Sequence, residues 1–118
     1  MNSIESLALD LDQITWPDPV QVPVERIVSG TPMTSTIVVA DSTEDQMGLW
    51  KATPGAFATD HTGYVEFIHI LGGIGRLVSD AGMVTDLKPG TTTLMPEGWK
   101  GRWEIDATLT KVFTIINR

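Results

Sequence analysis

Glu66 is the residue with the clearest chemical potential, because it is a single carboxylate inside the apolar stretch 64–71. If that stretch is a strand, alternation places Glu66 on one face with Tyr64, Ile68 and Ile70. An ionised carboxylate is costly to remove from water, so we expect it to face a partner, a metal ion or a water-filled cavity. Glu66 is therefore the candidate catalytic acid or base, or the anchor for a substrate amine or hydroxyl. The alternative is a structural hydrogen bond.

The chain has only two histidines. A reduced metal site of His61 and Glu66, completed by Tyr64 or water, would be better suited to a weakly held Mn²⁺ or Mg²⁺ than to a structural zinc. The candidate ions also include Ni²⁺, Fe²⁺ and Zn²⁺. The alternative makes His61 an exposed loop residue. His69 falls on the face opposite Glu66, and we expect a packed or interface histidine satisfied by a hydrogen bond.

Large aromatic and basic side chains complete the candidate site. Tyr64 and Ile68 share the face of Glu66, and three tryptophans are further candidates for lining a pocket: Trp50, Trp99 and Trp103. Such a pocket would hold a small apolar or ring-shaped ligand, although core packing is the commoner role of large aromatics. Lys111 and Arg102 would supply a positive charge for a ligand carboxylate. Alternatively, they pair on the surface with Glu104 or Asp106.

Composition excludes several functional classes. The 118 residues are enough for one domain with its own core, and the absence of cysteine excludes disulfides, thiolate metal sites and a cysteine nucleophile. A net charge of −7 with scattered basic residues argues against nucleic acid. There is neither an apolar run of about 20 residues nor a signal peptide, so we expect a cytoplasmic protein that does not bind membranes.

The elements that must position these residues are strands. Alternating segments separated by glycine and proline turns occur at 24–28, 34–40, 47–52, 64–71, 75–79, 83–87, 91–95, 102–105 and 109–116. Residues 56–63 are expected to be a loop or irregular strand. We expect residues 1–21 to form an arm, with a short helical turn capped by Ser3, laid over a single domain at 22–118. The pattern predicts an all-β antiparallel barrel or jelly roll.

Two spacings within the domain resemble a known family. Glu66 precedes Gly73 by six intervening residues, and Gly90 precedes Pro96-x-Gly98 by five. Further short motifs extend the pattern: Gly48-Leu49-Trp50, Thr53-Pro54-Gly55, Trp99-x-Gly101-x-Trp103-Glu104 and Lys111-Val112-Phe113. Over residues 22–117 the chain resembles the RmlC-like cupins, and among them the subfamily named after the cupin domain of ureidoglycine aminohydrolase. The resemblance implies a double-stranded β-helix, which is a jelly-roll barrel.

The resemblance also bears on metal binding. Metal-binding cupins hold one ion with two histidines and the glutamate of the first motif and a histidine of the second, but here Thr59 and Gly101 stand at two histidine positions. The depleted set favours a small-molecule-binding cupin that uses Glu66 and its neighbours. The alternative is a metal-dependent hydrolase of the ureidoglycine aminohydrolase type, acting on a small nitrogen-containing metabolite. We also expect a homodimer, because the strand at 64–71 is apolar on both faces.

Overall fold

The computed structural model describes residues 5–118, so the first four residues of the expected arm, including Ser3, lie outside it. The described chain forms one antiparallel sheet of nine strands. They are β1 (Val20–Gln21), β2 (Ile27–Ser29), β3 (Met33–Asp41), β4 (Asp45–Ala52), β5 (Gly55–Asp60), β6 (Tyr64–Ser79), β7 (Val84–Leu87), β8 (Thr92–Met95) and β9 (Lys100–Asn117). The predicted all-β class is confirmed.

Two long strands, β6 and β9, organise the sheet. They pair antiparallel from Tyr64 opposite Asn117 to Ser79 opposite Gly101. The second half of β9 also pairs with β4, and its first half pairs with β5. Strand β6 pairs on its other edge with β7 and β8. The two halves of each long strand have different neighbours, and the register shifts between those halves, so the sheet bends there and curls around the side chains of one face.

The sequence predicted each long strand as two shorter ones, and this was wrong. Between Ile70 and Gly75 the register of β6 shifts against β9, so the strand bulges and bends without reversing. Gly73 makes the bend possible because its φ is +90° and a Cβ there would lie 2.2 Å from the carbonyl oxygen of Thr108. Gly90, with a φ of +95°, does occupy the expected turn between β7 and β8.

Two further segments differ from expectation. Val24–Arg26 is a single 3-10 turn after Pro23, and only the end of the expected 24–28 strand is extended, as β2. Gly55–Asp60 is a regular strand, since it pairs with β9 on one edge and β2 on the other. Tertiary pairing therefore decided the structure of segments whose local pattern was weak.

The described part of the arm, residues 5–21, contains a hydrogen-bonded turn from Asp10 to Ile14 and ends in β1, but it contains no helix. It contacts the outer face of the sheet. Ser35 Oγ on β3 donates a hydrogen bond to the carbonyl oxygen of Pro17 at 3.1 Å, and Lys51 Nζ on β4 lies 4.6 Å from the Trp16 ring centroid. At no point in residues 5–118 is there a helix with the length and apolar character needed to cross a bilayer.

The inner face of the sheet carries the core. Ile68, Ile70 and Leu109 are fully buried, and Phe57, Leu77, Met95 and Phe113 pack with them. Ile70 and Leu109 lie where β6 and β9 bend. Phe57 and Phe113 border the less completely filled end of the barrel, between β3, β4, β5 and the first half of β6, which contains the candidate site.

Candidate functional site

A cavity of about 340 Å³ opens into the incompletely filled end of the barrel. Its walls come from the inner faces of β3, β4, β5, β6 and β9, and residues 20–23 and Arg26 form its edge. The walls combine aromatic and aliphatic side chains with threonine, glutamine and ionisable side chains. A water-accessible space of this kind is what makes charged side chains tolerable inside a barrel.

The central polar feature of the cavity is an ion pair between neighbouring strands. Lys111 on β9 lies directly opposite Trp50 on β4 and Ile70 on β6, so its side chain points inward. Its Nζ donates a 2.6 Å hydrogen bond to Oε2 of Glu66, and both side chains are about 95% buried, with exposures of 5% and 6%. Glu66 therefore has a charged partner that the sequence analysis did not assign to it.

Surface pairing of Lys111 with Glu104 or Asp106 was the wrong alternative. The signal that locates Lys111 was present in the sequence: on alternation it shares a face with Leu109 and Phe113, both of which are core residues. Arg102 does pair with Glu104 at the surface, with Nε 2.6 Å from Oε2.

Aromatic rings surround the ammonium group of Lys111. Its Nζ lies 4.3 Å from the ring centroid of Trp50, 4.4 Å from that of Trp103 and 5.8 Å from that of Phe113. Burial lowers the pKa of Lys111, whereas the charge of Glu66 and the hydrogen bond to it act in the opposite direction. The ring faces also favour the charged form. We therefore treat Lys111 as an ammonium ion held in place.

His61, just after β5, contributes a second buried polar group. It is only 1% exposed, so the exposed-loop alternative was wrong. Its ring stacks on Tyr64 at 4.6 Å and meets the edge of Trp99 at 5.5 Å. Nε2 lies 3.1 Å from Thr59 Oγ1 and 3.7 Å from Glu66 Oε1, while Nδ1 has no hydrogen-bond partner among the described residues.

Burial sets the protonation state of this histidine. Desolvation lowers the pKa of His61 below its ordinary value, although Glu66 opposes the shift. Desolvation also raises the pKa of Tyr64, and the neighbouring Glu66 adds to that effect. Both side chains are therefore neutral near pH 7, and the charges of the inner site are those of Glu66 and Lys111.

The donor set around Glu66 does not fit a resident metal ion. No group of three or more histidine or acidic side chains that could hold a metal occurs within residues 5–118. Lys111 already places a positive charge at hydrogen-bond distance from the carboxylate that a metal would need. At Gly101, where the second-motif histidine is missing, a Cβ would lie 2.3 Å from the carbonyl oxygen of Val78 and 2.7 Å from the Trp99 ring.

The structure brings most of the sequence-derived candidates together. Those that line the cavity are Trp50, His61, Tyr64, Glu66, Trp103 and Lys111. Trp99 packs behind His61, and Ile68 is fully buried in the core, so neither lines it. His69 lies on the outer face, as expected, and its Nδ1 is 2.8 Å from Thr92 Oγ1.

Arg26 is the charged cavity residue that sequence reasoning missed among the described residues. It stands at the edge of the cavity, where its Nε donates to the carbonyl oxygen of Ala58 at 2.9 Å and its guanidinium lies 5.6 Å from the Phe57 ring centroid. Nothing in the local sequence marks it, because its position depends on the pairing of β2 with β5.

Comparisons with solved structures agree with this architecture. EutQ from Clostridium difficile superposes with a TM-score of 0.74 at 12% identity, over 93% of this chain and 86% of that one. A protein of unknown function from Pseudomonas syringae pv. tomato superposes with a TM-score of 0.75 at 18% identity, over 87% of this chain and 45% of that one. Ectoine synthase from P. lautus superposes with a TM-score of 0.66 at 13% identity, over 95% of this chain and 78% of that one. Such identities show the fold alone.

Sequence comparison identifies the family more directly. No curated protein matches the chain. The profile of the EutQ-like cupin domain matches residues 39–113, which is more than half of the chain and includes the strands that carry Trp50, Glu66 and Lys111. The chain therefore belongs to the EutQ-like cupin domain family.

Proposed function

We propose that this protein binds a small metabolite inside the barrel, in contact with the Glu66–Lys111 pair. The buried pair beside a cavity is the observation that carries the proposal. A buried ion pair usually contributes no more stability than well-packed apolar side chains of similar volume, because both ions must be desolvated. The stability of the fold therefore does not account for the buried pair, whereas recognition of a polar ligand would.

The dimensions and chemistry of the cavity support a small ligand. Its volume of about 340 Å³ is at the lower end of the range of about 300–1,000 Å³ that is typical of small-molecule sites. The indole rings of Trp50 and Trp103 suit a flat or apolar body, and Thr36, Thr59 and Tyr64 offer hydroxyl groups. We assign Glu66 the role of the acceptor that orients the ligand, and the catalytic base if a reaction follows.

A metal-dependent hydrolase of the ureidoglycine aminohydrolase type is the weaker hypothesis. His61 and Glu66 do lie near one another, which is what favours it. The position of Lys111 argues against this hypothesis. Its ammonium group already neutralises the charge of Glu66, which is the only carboxylate that lines the cavity among the described residues. The comparisons with known proteins add no support for that subfamily.

We further propose that the protein is a homodimer that pairs through the outer face of the β8, β6, β9 and β4 strands. An exposed apolar patch supports this proposal: Met47, Phe67, Leu94, Val112 and Ile116. Register places Leu94 beside Phe67 and both near Thr114, so the patch is continuous across three strands. Apolar surface of this kind commonly marks an interface.

The ligand-binding proposal is tested with a broad metabolite panel and thermal-shift detection, followed by calorimetry of each hit. We expect at least one compound to stabilise the wild type, and we expect Glu66→Gln to change the affinity for that compound at least tenfold. Glu44→Gln is the matched control, because Glu44 is exposed and lies away from the cavity. If no compound binds the wild type, or if Glu66→Gln leaves the affinity for every compound unchanged, Glu66 is structural and the proposal is wrong.

A further inference from the structure

We propose that the ligand of this cavity is a small organic anion, and that Lys111 supplies the fixed positive charge that a metal ion supplies in metal-binding cupins. This inference rests on the proposed ligand-binding function. It specifies the chemical class of the ligand, and it predicts recognition without a metal. Three features of the cavity support it: its charge balance, its unused hydrogen-bond donors and the aromatic surroundings of Lys111.

The charge balance of the cavity is opposite in sign to that of the whole chain. Its titratable side chains are Arg26, His61, Tyr64, Glu66 and Lys111. His61 and Tyr64 are neutral near pH 7, and Glu66 cancels one cation, which leaves one net positive charge. The complete chain, in contrast, carries a net charge of −7. Asp60 is the carboxylate outside the cavity that acts on His61 and Tyr64. It is exposed to solvent and hydrogen-bonded to Thr62, so its charge is screened more than the charges inside the barrel.

The two cations also have unused donors. An ammonium group has three N–H donors, and the only hydrogen bond of Lys111 Nζ within the described residues goes to Glu66. Arg26 uses Nε toward Ala58, and its two Nη groups make neither a hydrogen bond nor an ion pair with any described residue. A guanidinium edge of that kind matches the two oxygens of a carboxylate, and charge-assisted hydrogen bonds are the strong ones.

The aromatic rings argue against a cationic ligand. Rings such as those of Trp50 and Trp103 would attract a ligand ammonium, but Lys111 already lies within 4.4 Å of both ring centroids. A ligand amine would have to displace Lys111 and would meet Arg26 at the edge of the cavity. An anion need not displace Lys111, because two N–H donors of the ammonium remain after its bond to Glu66, and Arg26 adds a cation, unpaired among the described residues, at the edge of the cavity.

The test measures the affinity of matched compounds by calorimetry, in buffer containing EDTA. The compounds are small carboxylates, each with its primary amide and its amine, such as benzoate, benzamide and benzylamine, and acetate, acetamide and ethylamine. We expect at least one carboxylate to bind at least tenfold more tightly than its amide and its amine. Arg26→Gln should weaken that binding by about tenfold or more, and Lys88→Met, at an exposed turn, should leave it unchanged.

Lys111→Met should abolish the preference for the acid, and Arg26→Gln keeps the inference testable if that variant does not fold. Equal binding of acid and amide, tighter binding of an amine, or loss of binding in EDTA would each overturn the inference. So would failure of every carboxylate to bind. The proposed function is judged separately: hits that are blocked by Thr36→Trp, which fills the cavity from β3, would support it even when they are neutral or cationic.

Discussion

Replacing Lys111 by methionine is the sharpest test of how this barrel tolerates a buried charge. Methionine keeps an unbranched side chain of similar length, so the substitution removes the ammonium and leaves most of the packing. At the observed 2.6 Å, an effective dielectric constant of about 20 gives a gross attraction of about 6 kcal/mol. Desolvation of each ion costs several kcal/mol and offsets much of that attraction.

The single and double variants should therefore behave very differently. Lys111→Met leaves Glu66 buried without a partner and should reduce the free energy of unfolding by about 3–5 kcal/mol. Adding Glu66→Leu removes the stranded charge and should restore stability to within about 1–2 kcal/mol of the wild type. For a domain of this size the single variant should melt about 10–20 °C lower. Lys88→Met is the matched control and should stay within about 0.5 kcal/mol of the wild type.

Urea denaturation at one fixed protein concentration measures these differences. The reasoning is refuted if Lys111→Met costs less than about 1 kcal/mol, or if the double variant is as unstable as the single one. Either result would mean that Glu66 reaches solvent or finds another partner.

Three further predictions concern other parts of the chain. Burial lowers the pKa of His61, so the unfolded state takes up a proton first as the pH falls below about 6.5. The free energy of unfolding should therefore decrease below that pH, and it should decrease less in His61→Phe. Denaturation at several pH values measures both. Gly73→Ala should lower the free energy of unfolding clearly more than Gly82→Ala. The φ angle is near +90° at both positions, but only at residue 73 would a Cβ atom clash with neighbouring backbone atoms. Equal losses of stability would contradict this prediction. Phe67→Lys should convert the proposed dimer to a monomer in sedimentation, whereas Val84→Lys should not; a monomeric wild type would refute the dimer.

The sequence determined the local features of the fold, because these depend on near neighbours. Alternation correctly put Glu66 on a buried face with Ile68 and Ile70, since side chains of a strand alternate between its faces. The glycine and proline spacing around Gly73 and Gly90 identified a cupin, which the family match confirms. Alternation did not show where a strand bends, so β6 and β9 were each predicted as two strands.

Tertiary structure decided which inward-facing side chains meet. Glu66 and Lys111 are 45 residues apart, and they come together only because β6 pairs with β9 in a register that directs both into the cavity. His61 is buried because Tyr64 and Trp99 pack on it, and Arg26 reaches the cavity through the pairing of β2 with β5. A one-dimensional pattern assigns each residue to a face, but closure of the sheet decides which faces meet, and this depends on pairing between distant strands.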